Sequence, residues 1–149
     1  MKKSIYILFI LSVSLLHSYS YGQSSTLNSV TIEWVDFSIE TFADVSCESF
    51  DKSFKKEKRV KYIFNKADLM EFQALLKGFK SVQNKQSFDT RGSINFIIGK
   101  TENKYCFNVF GYFYKNGKYY FNKQLLIFIT DKIFIQHHPK YLDTLRQYE

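Results

Sequence analysis

Proline occurs once in the 149 residues and glycine six times, so a collagen-like or other fibrous chain is excluded and a disordered one is disfavoured. Histidine is nearly as scarce, with three in the chain, and only His137 and His138 lie beyond the N-terminal segment. Two adjacent side chains rarely chelate a metal without further ligands, so no metal site is expected. The same two histidines are the only candidates for the base of a hydrolytic triad, and no GxSxG elbow accompanies them. A phosphate-cradling loop is missing as well: GSINFIIG (92–99) has neither the Lys-Ser/Thr ending nor a helix after it. No catalytic residue and no cofactor is therefore assigned. Neither an internal repeat nor a low-complexity segment is present.

Aromatic side chains, in contrast, are plentiful, with 16 Phe and 11 Tyr. The N-terminus has the three-part layout of a secretory signal. Lys2 and Lys3 are followed by an apolar run from Ile5 to Leu16, and Ser20 and Gly22 fit the small-residue positions before a cut. The run is 12 residues long, whereas a spanning helix needs about 20, so a cleaved signal over 1–22 is expected and no membrane anchor is left after cleavage. No cysteine lies near the cut to carry a lipid. Residues 23–149 then form one small domain in an exported, periplasmic or secreted protein. Without Lys2 and Lys3 the formal charge falls from +7 to +5, a moderate basic excess compatible with an anionic envelope surface or an acidic partner.

Only two cysteines exist, Cys47 and Cys106. Export to an oxidising compartment makes a disulfide between them one reading; two separate buried thiols are the other.

Val30 to Thr41 carries apolar residues in two phases, Val30, Ile32 and Trp34 and then Phe37 and Ile39. A strand with a bulge near Trp34 and Val35 reconciles them. Six acids and no base fall between Thr31 and Asp51, then six bases and one acid between Lys52 and Lys61. This switch reads as two oppositely charged surfaces or as a contact between them. Ser46 is placed to cap a short helix in which Phe50 and Phe54 stand four apart. Lys58 to Phe64 reads as a strand with Val60, Tyr62 and Phe64 on one face. An amphipathic helix over 66–78 follows, capped by Asn65, striped by Leu69, Phe72 and Leu76 and widened by Met70 and Leu75, with Gly78 as its stop. SVQNKQSF (81–88) reads as a polar linker.

From Asp89 to Phe121 three strands are expected, joined by turns at TEN (101–103) and KNG (115–117), because Asn116 and Gly117 both tolerate positive φ. Gly111 inside this stretch marks a bulge or a close backbone approach. Leu125 to Ile129 reads as a buried strand or as a helix following Asn122, the helical spacing of Leu125, Leu126, Ile129 and Ile133 favouring the helix, and Pro139 can start a terminal one. The sum is an α+β domain: a mostly antiparallel sheet of about five strands, packed by the 66–78 helix and C-terminal helical segments.

An Asp89–Arg91 pair is expected to hold the start of the first of these strands. Arg91, Tyr112, Tyr114, Tyr119 and Tyr120 form the surface from which a binding site is expected, since Tyr and Arg anchor interfaces. Basic charge with exposed tyrosines also suits nucleic acid, but an export signal argues against that partner. SCESF (46–50), DTR (89–91), YCFNVFG (105–111) and NGKYYF (116–121), in this order, resemble small exported proteins of unknown function from Bacteroidota-like bacteria. The resemblance covers most of the mature chain and implies a fold and an address rather than a reaction. The function expected is a non-enzymatic module that binds a protein or an envelope component, inhibitor- or immunity-like. A small exported hydrolase acting on wall or glycan material, built on Asp89, Arg91 and His137 or His138, is the alternative.

Overall fold

The computed structural model describes residues 27–83 and 87–134; the signal segment, His137, His138 and the helix expected after Pro139 lie outside them. Seven strands form one antiparallel sheet: β1 (Leu27–Trp34), β2 (Arg59–Ile63), β3 (Lys80–Val82), β4 (Gly92–Ile98), β5 (Thr101–Phe107), β6 (Tyr112–Lys115) and β7 (Lys118–Phe121). Their spatial order is β2-β1-β4-β5-β6-β7-β3. Among the described residues three α-helices accompany them, α1 (Phe50–Ser53), α2 (Lys66–Leu75) and α3 (Lys123–Ile133), with a 3-10 turn at Leu76–Gly78 closing α2.

The inner face carries the main core. Val30, Ile32 and Trp34 of β1 pair with Phe96, Ile94 and Gly92 of β4. The inner row through Gly92 continues to Phe107, Phe113 and Tyr120 on β5, β6 and β7. Leu69 and Phe72 of α2, with Leu125, Leu126, Phe128 and Ile129 of α3, close over this face. Both helices begin at an asparagine whose Oδ1 accepts from the third backbone N–H beyond it, Asn65 from Asp68 at 2.8 Å and Asn122 from Leu125 at 2.9 Å. Asn122 is itself buried, and its Nδ2 donates to the Leu75 carbonyl at 2.7 Å, which joins the start of α3 to the end of α2. Replacing Asn122 with Ala removes a cap worth about 1 kcal/mol and orphans a carbonyl at a cost of similar size, so a loss of about 2 kcal/mol is expected in urea unfolding. A loss no larger than about 1 kcal/mol, the figure for the exposed Asn65→Ala cap alone, would show that the bond to Leu75 contributes nothing.

The structure corrects the expected strand count. The sheet has seven strands, not five, because the 81–88 linker begins inside β3, which pairs Lys80, Ser81 and Val82 with Phe121, Tyr120 and Tyr119. A three-residue edge strand with solvent on one side needs no apolar run, and none is there to read. The expected three-strand meander is four. Its first turn falls at Gly99 (φ 62°) and Lys100, so that TEN lies within β5. β5 ends at Phe107, where Asn108 Oδ1 accepts from the N–H groups of Phe110 (3.0 Å) and Tyr112 (3.1 Å), and Gly111 (φ 83°) completes the reversal. The Asn116-Gly117 turn has the expected positive φ at both residues.

β1 stops at Trp34 rather than running to Thr41, and its register shift lies between Leu27 and Val30 rather than at Trp34 and Val35. The change of phase after Trp34 marks the chain leaving the sheet: Asp36 accepts from the Ser38 N–H at 3.0 Å and from its hydroxyl, turning the backbone. Phe37 then packs on the main core and Ile39 on a second cluster. The N-cap position of α1 is Ser49 rather than Ser46, although the Ser46 hydroxyl accepts from the Ser49 N–H at 3.2 Å in the turn before it. Val60, Tyr62 and Phe64 do share a face, but that face is exposed, and Met70 is exposed too instead of widening the α2 stripe.

Candidate functional site: a cleft on the outer face of the sheet

The outer face is read most directly along one cross-strand row. Glu33 of β1 pairs with Ser93 of β4, Ser93 with Cys106 of β5, Cys106 with Tyr114 of β6, Tyr114 with Tyr119 of β7, and Tyr119 with Val82 of β3. Residues 35–58 lie across part of this row. Val35, Val45, Phe50 and Phe54 form their own small core, with Phe50 and Phe54 edge to face at 5.6 Å. Three attachments hold this segment to the sheet. Cys47 is disulfide-bonded to Cys106, with 5.6 Å between their Cα atoms. Lys58 contacts both Glu33 (2.9 Å) and Asp51 (2.5 Å), and Lys104 reaches Asp51 at 3.1 Å. The acid-to-base switch in the sequence is thus partly a mutual contact, and the Asp51 carboxyl is held below its ordinary value, first by Lys58 and also by Lys104.

Asp89 and Arg91 supply the third attachment. Their ion pair forms as expected, with the guanidinium buried. The other carboxylate oxygen of Asp89 accepts from the Val45 N–H at 2.9 Å, while Arg91 also reaches Thr41 Oγ1 at 3.4 Å and lies 5.8 Å from the centre of the Phe54 ring. Arg91 therefore faces the covering segment rather than an open site.

The tyrosines divide between the two faces because neighbouring strand residues point to opposite sides. Tyr120 faces the inner core against Phe79 (5.4 Å) and Tyr105 (6.0 Å). Tyr112 is on the outer face, edge to face with Phe121 at 5.2 Å. Tyr114 and Tyr119, directly opposite each other, are 5.2 Å apart, and Phe88 closes on both at 6.0 and 5.5 Å. These three rings make one wall of a cleft of about 260 Å³, and Asp44, Ser46, Cys47 and Glu48 make the other. The Ser87 hydroxyl donates to Asp44 at 2.5 Å. The Glu48 carboxyl is held below its ordinary value by its own backbone N–H, then by the Ser46 and Tyr114 hydroxyls, with Lys104 adding a favourable charge. The Tyr114 phenol is pushed up by burial and next by the Glu48 charge.

Of the five residues from which a binding surface was expected, the fold brings two together in this cleft. Phe88, Asp44 and Glu48, which complete it, were not signalled: Phe88 closes a polar stretch, and the two acids belong to a run that looks like solvated surface. The Cys47–Cys106 bridge is the one feature that points to them, since it brings Glu48 next to the β5–β6 pair. Among the described residues no three His, Cys, Asp or Glu side chains converge as a metal site, and no helix is long and apolar enough to cross a membrane. No protein-family model matches the chain, and no curated protein or solved structure is significantly similar to it.

Proposed function

We propose that this chain is an exported, non-enzymatic binding module that engages a protein or an envelope component through the cleft between residues 44–48 and the outer face of β6 and β7. An inhibitor- or immunity-like role is one form of that activity. The observation that carries the reading is the half-buried wall of Phe88, Tyr114 and Tyr119, facing a segment that a disulfide fastens to the neighbouring strand. Rigid aromatic surface with few rotatable bonds loses little entropy on binding, and tyrosine is enriched where interface energy concentrates. The signal layout of the first 22 residues, the bridge expected in an oxidising compartment and the likeness to small exported Bacteroidota-like proteins agree on the address. The hydrolase alternative draws no support from this site, because neither Asp89 nor Arg91 lines it.

The test is crosslinking and pull-down of the mature chain from its native envelope, with wild type beside a Tyr114→Ala/Tyr119→Ala variant and a Tyr62→Ala control. Recovery of one partner by wild type and control, with at least a tenfold loss in the double variant, is expected for hot-spot residues worth about 1–2 kcal/mol each. Equal recovery by all three proteins would place the binding elsewhere.

A further inference from the structure

We infer that the ligand group this cleft accepts is an organic cation, an ammonium head on an apolar stem no larger than one lysine side chain or one quaternary ammonium. The inference rests on the binding-module reading and adds the chemistry of the ligand.

Three properties of the cleft converge on this class. Its aromatic wall is continuous: adjoining rings are 5.2–6.0 Å apart and inclined by 43–56°, and all three line the cleft. Ring faces carry the negative lobe of the π quadrupole, which attracts a cation and also packs against the apolar groups around it. The opposite wall carries two carboxylates, Asp44 and Glu48, and among the described residues no Lys or Arg lines the cleft, although the chain holds 21 basic residues against 14 acidic. The charged side chains among its described lining are thus both acidic, against the basic excess of the whole chain. Lys104, whose charge acts on Glu48, is itself paired with Asp51. Finally, about 260 Å³ lies just below the roughly 300–1,000 Å³ of sites that enclose a drug-sized molecule, which favours a side chain or a head group over a larger ligand.

Anions are disfavoured by the two carboxylates. A neutral apolar group fits the rings but brings no positive charge to Asp44 and Glu48, so the discriminating property is charge at constant shape. Two sources supply the same cation, a small quaternary ammonium compound and a lysine side chain of a partner protein.

The experiment is titration of the mature chain, followed by tyrosine fluorescence or amide NMR, with two matched pairs of probes. Choline is compared with 3,3-dimethylbutanol, its neutral carbon analogue, and the tripeptide Gly-Lys-Gly with the same peptide carrying norleucine. At least one cation should bind about tenfold tighter than its neutral partner, the scale of a partly desolvated cation–π contact. That preference should shrink in Tyr119→Leu and in Glu48→Gln; the exposed Glu48 site keeps the test valid if the tyrosine variant unfolds. Tighter choline identifies a small-molecule source and tighter Gly-Lys-Gly a protein one, and both support the inference. Equal binding of the neutral partners, saturation by no cation, or indifference to Glu48→Gln overturns it. If the cation preference fails while the Tyr114→Ala/Tyr119→Ala variant still loses its partner, the binding-module reading stands without this ligand class. Cation binding with unaltered partner capture has the opposite meaning.

Discussion

Removing the Cys47–Cys106 bridge with a Cys47→Ala/Cys106→Ala variant should lower unfolding stability by about 4 kcal/mol, the figure given by the chain-entropy relation for a loop of this length. The two cysteines are 59 positions apart, so the bridge closes a loop that contains α1, β2, α2, β3, β4 and most of β5. In the unfolded chain that loop is the largest constraint available, and its loss gives the denatured state freedom the folded state does not share. There is a local effect beside the global one. Residues 35–58 have only a four-residue core of their own and a few surface ion pairs, which are worth at most about 1 kcal/mol each. Without the bridge this segment should open before the sheet does, and the cleft should open with it. Thermal unfolding is expected to shift down by more than about 10 °C, with faster amide exchange over 44–54 than over β4 and β5. A shift of only a few degrees, with uniform exchange, would mean that the Asp89–Arg91 attachment and the packing of Phe50 suffice.

Gly92→Ala should cost about 3 kcal/mol, at the upper end of what overpacking a core produces. Gly92 stands between Trp34 and Phe107 in the inner row, and the Phe107 ring lies across it. A Cβ built there meets the ring and approaches the Glu33 carbonyl oxygen to 2.6 Å. A side chain can turn away, but that carbonyl belongs to the β1–β4 ladder and cannot move without spoiling it. Gly117→Ala is the natural comparison. Its Cβ meets nothing within 4 Å, and the positive φ of 78° alone should cost about 1 kcal/mol. Urea unfolding of the two variants measures the difference. Similar losses at both sites would show that the ring yields and the close approach is unimportant.

Several elements were legible because their signals are local. A side-chain oxygen at the right offset satisfies the first N–H groups of a helix whatever lies around it, so Asn65 announced α2, while after Asn122 the helical spacing only favoured α3 over a buried strand. Asn116 and Gly117 announced their turn because few other residues adopt positive φ easily. Strand faces are different. Alternation shows which residues share a side, and only the partner strands decide whether that side is core or solvent. Val60, Tyr62 and Phe64 were placed together correctly, and the side they share turned out to be exposed.

The α+β class, the helix capped by Asn65, the Asn116-Gly117 hairpin and the pair of cysteines able to bridge were thus determined by the sequence itself, through caps, periodicity and backbone freedom. The seventh strand, the division of the tyrosines between two faces and the cleft were decided only by tertiary structure. The row from Glu33 through Ser93, Cys106 and Tyr114 to Tyr119 is assembled by pairings between strands, including one between β1 and β4 some sixty residues apart. Phe88 and Glu48 reach it from two further parts of the chain. No short-range pattern encodes such a meeting, because what fixes it is the register of the whole sheet and the burial of the opposite face.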